Sequence, residues 1–220
     1  FKTKVNGTEL NTKNTQTWID ICFKRIHLPR ELLRKGENRI SLITDFHDGI
    51  DLEAIYILGS FGVSVEGTRC TLTRLPERLT VGDLVKQGLP FYSGKVTYLI
   101  EELPEAGLQE IQKDERCFLK VGGYGGACIK VNPHSPSPKM IAWQPYEADI
   151  TDEVQVGEPL RVELTLTRRN TFGPLHHAPL YTDWYGPDQF ITEGASYAED
   201  YALIPTGLLE SPVIVIKQRL

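Results

Sequence analysis

The sequence has no long hydrophobic run, no block of basic residues and no metal-binding cysteine motif, and each absence excludes a class of function. An apolar run such as Ser211–Ile216 is far shorter than the roughly 20 residues that a membrane-spanning helix needs. Lysine and arginine are scattered, and the formal net charge is -5. We therefore expect neither nucleic acid nor a membrane as a partner.

The four cysteines, Cys22, Cys70, Cys117 and Cys128, form no CxxC pair and no cluster with histidine, which argues against a zinc site. Each lies in an apolar, strand-like run, where a reduced cysteine behaves as a small buried hydrophobe. We expect reduced thiols in the core. Since disulfides follow oxidising compartments, this weakly favours a cytoplasmic parent protein.

The sequence also has no recognisable catalytic set. Glycoside hydrolysis usually needs two facing carboxyl groups, and none of the 29 acidic residues forms such a pattern. We expect no cofactor, with calcium bound near Asp149 or Asp152 as the alternative. The other interpretation of Asp149 is a strand-end carboxylate that accepts N–H groups of a turn.

Short alternating or β-branched segments, separated by Gly, Asn and Pro, indicate an all-β protein with an antiparallel β-sandwich. Two short helices are predicted at Pro29–Arg34 and at Thr80–Gln87, the second with a Thr cap and Asp83 at the capping-box position. The predicted strands are Trp18–Phe23, Arg39–Thr44, Ala54–Leu58, Thr71–Arg74, Lys95–Glu101, Cys117–Val121, Ala127–Val131, Leu160–Thr167 and Pro212–Ile216.

A weak internal repeat organises these segments. Val5-Asn6-Gly7 recurs as Val131-Asn132-Pro133, and these two segments are the first pair of marks of the repeat. Between its first and its second mark, each copy has an aromatic-led segment that ends in Asp-Ile. The second pair of marks is Gly36–Leu42 and Gly157–Glu163. We interpret the two halves as copies of one supersecondary unit.

The repeat predicts three regions. Residues 1–75 form a partial β-sandwich without its opening strands, 76–90 a linker with a short helix, and 91–220 a second sandwich. Because a half-sandwich exposes an apolar face and open edges, we expect 1–75 to pack on the second sandwich, or the missing strands to belong to a longer parent chain.

At these marks the sequence resembles the galactose-binding-like jelly-roll modules of glycoside hydrolases, in particular the sugar-binding domains of family 2 and rhamnosidase-like enzymes. The resemblance implies two antiparallel sheets that either hold a sugar at the loop end or pack against a catalytic domain. Pro133 departs from the Gly of the family's Asn-Gly turn, which excludes a two-residue type I′ turn there. The matching segments are Val5–Gly7, Gly36–Ile40, Ile55–Val63, Gly88–Tyr98, Trp143–Thr151 and Arg169–Leu175.

The segment from Tyr181 to Phe190 is the richest aromatic cluster. Tyr181, Trp184 and Tyr185 offer flat faces on which a sugar ring could stack, with His176 and Asn170 as hydrogen-bonding neighbours. In the competing interpretation the rings cover the end of the sandwich or face a catalytic domain, and His176 and His177 are ordinary polar loop residues.

The resemblance, taken with the aromatic cluster, implies three alternative functions. The first is a non-catalytic carbohydrate-binding module of a larger glycoside hydrolase. The second is a structural sandwich that packs against the catalytic domain without binding sugar. The third, which the sequence supports least, is a chain that itself hydrolyses glycosides.

Overall fold

The computed structural model describes residues 1–13, 15–50, 54–101, 114–157 and 159–218. Contacts divide the chain into two compact units, Phe1–Ile57 and Leu58–Leu220. The region boundaries expected at residues 75 and 90 stay predictions. Among the described residues, no helix is long and apolar enough to cross a membrane.

The described residues of the first unit, 1–13, 15–50 and 54–57, form two small antiparallel sheets and one 3-10 turn. β1 lies between β2 and β5 in a three-stranded sheet, and β3 pairs with β4. On β1, the inward-facing Thr3 and Val5 are buried. The elements are β1 (Lys2–Val5), β2 (Thr8–Glu9), β3 (Gln16–Trp18), β4 (Asp20–Arg25), the 3-10 turn (Arg30–Leu32) and β5 (Ile40–Ile43).

In the described part of the second unit, residues 58–101, 114–157 and 159–218, the structure has the remaining strands, two short α-helices and a 3-10 turn. Its strands are β6 (Gly62–Glu66), β7 (Arg69–Thr73), β8 (Lys95–Ile100), β9 (Glu115–Lys120), β10 (Tyr124–Gly125), β11 (Cys128–Val131), β12 (Lys139–Ile141), β13 (Glu147–Asp149), β14 (Leu160–Thr165), β15 (Gly207–Leu208) and β16 (Val213–Gln218). Its helices are α1 (Thr151–Val156), α2 (Arg169–Phe172) and the 3-10 turn Pro187–Gln189.

Two larger sheets form the body of this unit. One has the strand order β12-β11-β14-β8 and the other β13-β9-β16, with β6–β7 and β10–β15 as separate pairs. Ile129 and Val162 of the first sheet and Cys117 and Leu119 of the second belong to one buried cluster. All pairings between the described strands are antiparallel, and the expectation of an all-β protein is confirmed at this level.

The two units share a pattern of strand pairing, in a register one residue away from the second pair of sequence marks. In the first unit β1 pairs with β5, with Val5 opposite Ile40; in the second β11 pairs with β14, with Val131 opposite Val162. Each central strand also pairs with the strand that follows it, β2 or β12. The mark Gly157–Glu163 of the second copy includes Glu158, which lies outside the described residues.

The helix predicted at Thr80–Gln87 is wrong, because tertiary contacts compete for its backbone. The N–H groups of Gly82 and Leu84 donate to the carbonyls of Leu208 and Thr206, at 2.6 and 2.8 Å. The Asp83 carboxylate accepts from Val85 N at 3.0 Å and Thr206 N at 3.1 Å. The segment is therefore a series of turns attached to the residues around β15.

Three other predictions need correction. Ala54–Leu58 forms no strand, although its residues are described. Pro29–Arg34 contains a single 3-10 turn at Arg30–Leu32 rather than an α-helix. Conversely, the sequence did not predict α1, which ends at Gly157 with a φ of 71°, the left-handed geometry that glycine readily adopts.

The cysteines differ from the expectation in their burial. Cys117 is fully buried and Cys128 is partly buried, as expected for small hydrophobes. Cys22 and Cys70 are exposed, because they lie on strands whose side chains face solvent. None of the four forms a disulfide in the structure.

Candidate functional site

A long loop between α2 and β15, residues 173–206, carries the predicted aromatic residues, and we call it the aromatic loop. Hydrogen bonds between its two arms close its base. Ala178 N donates to Ser196 O at 2.8 Å, Ala198 N to His176 O at 2.9 Å, and Ala202 N to Leu175 O at 2.6 Å. The base is therefore fixed even though the loop contains little regular structure.

The tip of the aromatic loop, residues 180–190, is also held by local hydrogen bonds. The Tyr185 hydroxyl donates to Leu180 O at 2.7 Å, and the Thr182 hydroxyl donates to Trp184 O at 2.5 Å. The 3-10 turn Pro187–Gln189 then brings Asp188 within 3.3 Å of the indole N–H of Trp184. Two of these bonds orient the aromatic side chains of Tyr185 and Trp184.

Two of the rings at the tip are largely exposed, and a hydrogen bond orients one of them, Trp184. Tyr181 and Trp184 each have 66% of their surface accessible to solvent. A Cβ at Gly186 would overlap the Trp184 indole, so the backbone at Gly186 lies directly against the ring. Exposed, oriented rings of this kind offer a flat apolar surface to a binding partner.

Tyr185 is placed differently from its two aromatic neighbours. Its ring lies over the guanidinium of Arg169 on α2, with 5.0 Å between Cζ and the ring centroid. The ring is 41% exposed, whereas the guanidinium nitrogens are inaccessible to solvent. Tyr185 acts as a cover at the tip, where the sequence suggested a third stacking surface.

The structure places His176 and Asn170 at the base of the aromatic loop rather than at its tip. Asn170 is 3% exposed, and its amide bonds both the N–H and the carbonyl of Ile204, at 3.0 and 2.9 Å. His176 Nδ1 lies 3.1 Å from Ala198 O, and its ring is 4.9 Å from that of Tyr201. Both residues support the loop through contacts within the chain.

His177 is buried and also belongs to the base. It forms an isolated antiparallel bridge with Tyr197, and its Nδ1 lies 3.3 Å from Pro179 O. Adjacent histidines therefore diverge, as expected on an extended backbone.

A cavity of about 400 Å³ lies beside the aromatic loop. Leu180, the residue before the exposed Tyr181, forms part of its apolar wall. Its polar lining consists of Asp83, Lys86, Asp200 and Tyr201. The cavity thus combines acceptors and donors with an apolar surface, which is the pattern of a small-molecule site.

The turn of the β6–β7 hairpin closes one side of this cavity. Tyr201 N donates to Gly67 O at 3.2 Å. The hydrogen bond with Cys70 and, second, burial raise the pKa of the Tyr201 phenol, so this group keeps its proton as a donor at neutral pH. Sequence reasoning missed this cavity because its residues come from segments more than 100 positions apart.

A second groove, of about 880 Å³, runs along β8 and residues 76–81. β8 is the last strand of its sheet, and the groove is lined mainly by its side chains and by Leu79 and Val81. Of the aromatic residues discussed above, none lines this groove. The aromatic loop is therefore the better candidate for a specific site.

Asp149 accepts turn N–H groups, as one interpretation of the sequence predicted. Thr151 donates to it from its backbone N at 3.0 Å, and Arg116 lies 3.3 Å away. Burial acts to raise the pKa of this carboxyl, but the Thr151 hydrogen bonds and the Arg116 charge outweigh it and hold the pKa below its ordinary value. Among the described residues, no group of three or more His, Cys, Asp or Glu side chains is arranged to hold a metal ion.

Comparison with known proteins adds no relative to this picture. No family model matches the chain, and no curated protein matches it at a significant level.

Proposed function

We propose that this chain is a non-catalytic carbohydrate-binding module of a larger glycoside hydrolase, and that its second unit is a galactose-binding-like β-sandwich. The observation that carries the proposal is the exposure of Tyr181 and Trp184, 66% each, on a loop tip that hydrogen bonds hold in place. The C–H face of a pyranose can stack on such rings with little loss of side-chain freedom.

The composition of the neighbouring cavity supports a sugar as the partner. Sugar hydroxyls both donate and accept hydrogen bonds. Asp83 and Asp200 provide acceptors, Lys86 provides donors and the Tyr201 hydroxyl provides both. Leu180 connects this cavity to the stacking surface, so one saccharide could contact both.

The sandwich interpretation is supported by the common core of the two larger sheets. Their inward-facing side chains alternate along β11 of one sheet and β9 of the other with partly or fully exposed ones, as expected when two sheets enclose a core. A jelly roll would place the aromatic loop at one end of that core, where such modules hold sugars.

Calorimetric titration of the 220-residue chain with a panel of neutral and acidic oligosaccharides tests this function. We expect millimolar or tighter binding that Trp184→Ala weakens at least tenfold. Trp143→Ala is the matched control, because Trp143 is another exposed tryptophan, at 71%, outside the aromatic loop. Flat titrations across the panel, or equal losses in both variants, would contradict the proposal.

The second candidate is a structural module that packs against a catalytic domain. Phe190 favours it, since this ring is 59% exposed at the same tip and has no polar group for a sugar hydroxyl. In that case Phe190→Ala would weaken association with the catalytic domain, and no saccharide would bind. Assay of the chain with chromogenic glycosides addresses the third hypothesis, hydrolysis by the chain itself.

A further inference from the structure

Arg169 carries a buried guanidinium whose hydrogen-bonding capacity is unused. Its Nε and both Nη atoms are inaccessible to solvent, and the structure gives them no hydrogen-bond partner among the residues it describes. A guanidinium has five N–H donors and keeps its charge at any physiological pH. Buried polar groups are nearly always hydrogen-bonded, so this group calls for a physical explanation.

The Tyr185 ring compensates the Arg169 charge only in part. The ring face, 5.0 Å from Cζ, attracts the cation, but it accepts none of its in-plane N–H groups. On another side the guanidinium lies against Gly173, where an added Cβ would be 3.0 Å from an Nη atom. One half-exposed ring therefore separates an unsatisfied cation from the tip of the aromatic loop.

The ligand chemistry that matches this group is a carboxylate. The planar fork of arginine forms two parallel, charge-assisted hydrogen bonds with a carboxylate, and these are stronger than bonds between neutral groups. The adjacent Trp184 provides the surface on which a sugar ring would stack. A sugar that bears a carboxylate, such as a hexuronic acid, would satisfy both features at once.

We propose that Arg169 is the residue that recognises the acidic group, and that the module binds carboxylated saccharides in preference to neutral ones. The proposal rests on the proposed function and names its ligand class. Tyr185 is the cover that moves aside, since one hydrogen bond, from its hydroxyl to Leu180 O, holds its side chain to the described part of the loop. The carboxylate then takes the place of the ring against the guanidinium.

The surface charge of the aromatic loop is acidic, because the loop carries five exposed acidic residues and no lysine or arginine. These residues are Asp183, Asp188, Glu193, Glu199 and Asp200. Exposed charges are screened within about 10 Å at ordinary ionic strength, whereas a buried guanidinium is screened much less. The local interaction with Arg169 should therefore decide the preference.

The experiment compares glucuronate-containing oligosaccharides with their neutral glucose counterparts, titrated into the full 220-residue chain. We expect at least tenfold tighter binding of the acidic series. Arg169→Met should abolish this preference and, because it removes an unsatisfied buried charge, raise the thermal unfolding midpoint of the unliganded chain. Arg168→Met, at the exposed neighbour, should leave both quantities unchanged.

Other outcomes would contradict the role of Arg169, the absence of its hydrogen bonds, or the proposed function itself. Equal binding of acidic and neutral sugars, or a preference that survives in Arg169→Met, would refute the role of Arg169 and leave the proposed function intact. A fall in the midpoint of Arg169→Met would show that the guanidinium is satisfied in the native chain. If no saccharide binds at all, the proposed function fails as well.

Discussion

Asn132 and Arg161 are joined by a reciprocal pair of hydrogen bonds that closes the β11–β14 ladder. Asn132 N donates to Arg161 O at 2.8 Å, and Arg161 N donates to the Asn132 side-chain oxygen at 2.9 Å. Asn6 and Arg39 form the same two bonds in the first unit, both at 2.9 Å. Both asparagines have positive φ, 50° for Asn6 and 49° for Asn132. The repeat thus preserves a backbone conformation together with its hydrogen bonds.

This pairing predicts the order of stability of two variants. Asn132→Ala removes the hydrogen bond to Arg161 N, which should lower the free energy of unfolding by about 1 kcal/mol. It also places an alanine in the left-handed region, which should lower the free energy of unfolding by roughly 1–2 kcal/mol more. Asn132→Gly loses the bond but relieves the strain, so it should be the less destabilised of the two. Urea unfolding followed by circular dichroism measures both, and equal stability of the two variants would contradict the strain argument.

The asparagine turns could be recognised in the sequence because their signals are local, whereas the second pair of marks is displaced by one residue, since the structure matches Arg39 with Arg161 rather than with Leu160. An Asn in a tight turn and an Asp before a turn bond to backbone groups a few residues away or across one strand pair. Accordingly, Asp20 accepts Cys22 N at 3.1 Å just as Asp149 accepts Thr151 N at 3.0 Å. Even Pro133, which excludes a type I′ turn, leaves the positive φ of Asn132 unchanged.

The features that sequence reasoning missed depend on distant contacts. Thr80–Gln87 has good helix signals, but its backbone N–H groups bond to residues near β15 instead. The sequence predicted the aromatic loop from its rings. It did not predict that Arg169 is buried or that Asn170 bonds to Ile204. Burial is a property of the folded chain and has no local signal.

Gly125 and Gly123 provide a matched pair that tests the attachment of the aromatic loop. A Cβ at Gly125 would overlap the Pro205 carbonyl and lie 2.8 Å from Thr206 Cα, and backbone atoms cannot easily move away. At Gly123 the nearest atom belongs to the flexible Glu210 side chain, at 3.3 Å. Gly125→Ala should therefore lower the free energy of unfolding by about 1–3 kcal/mol, as overpacking does.

The control in that comparison is Gly123→Ala, for which we expect a change within about 0.5 kcal/mol. Guanidinium unfolding curves measure both variants. If the two glycines tolerate alanine equally, the packing of β10 against residues 205–206 is not as tight as the geometry indicates.

A substitution at Asn170 tests whether the base of the aromatic loop stabilises the rest of the loop. Asn170→Ala leaves the N–H and the carbonyl of Ile204 without partners, which should lower stability by about 2 kcal/mol. Because the base is loosened, the loop should also become more sensitive to limited proteolysis. Unchanged cleavage kinetics together with unchanged stability would show that these two bonds contribute little.

The lowered pKa of Asp149 predicts how the free energy of unfolding depends on pH in the acid range. Its pKa in the folded chain lies below its ordinary value of about 3.9, so the folded state favours the carboxylate. The resulting stability is present above the unfolded pKa and is lost as the pH falls through the folded pKa. Since its side chain is 38% exposed, solvent screening limits the effect to less than about 1 kcal/mol.

In Asp149→Asn this part of the pH dependence should disappear, because the amide does not titrate. The free energy of unfolding should therefore fall less between pH 5 and pH 2 in the variant than in the natural chain. The exposed Glu199, changed to Gln, is the control for the loss of one negative charge. If both variants follow the natural chain over this range, the bonds from Thr151 and the charge of Arg116 do not favour ionised Asp149 in the folded state.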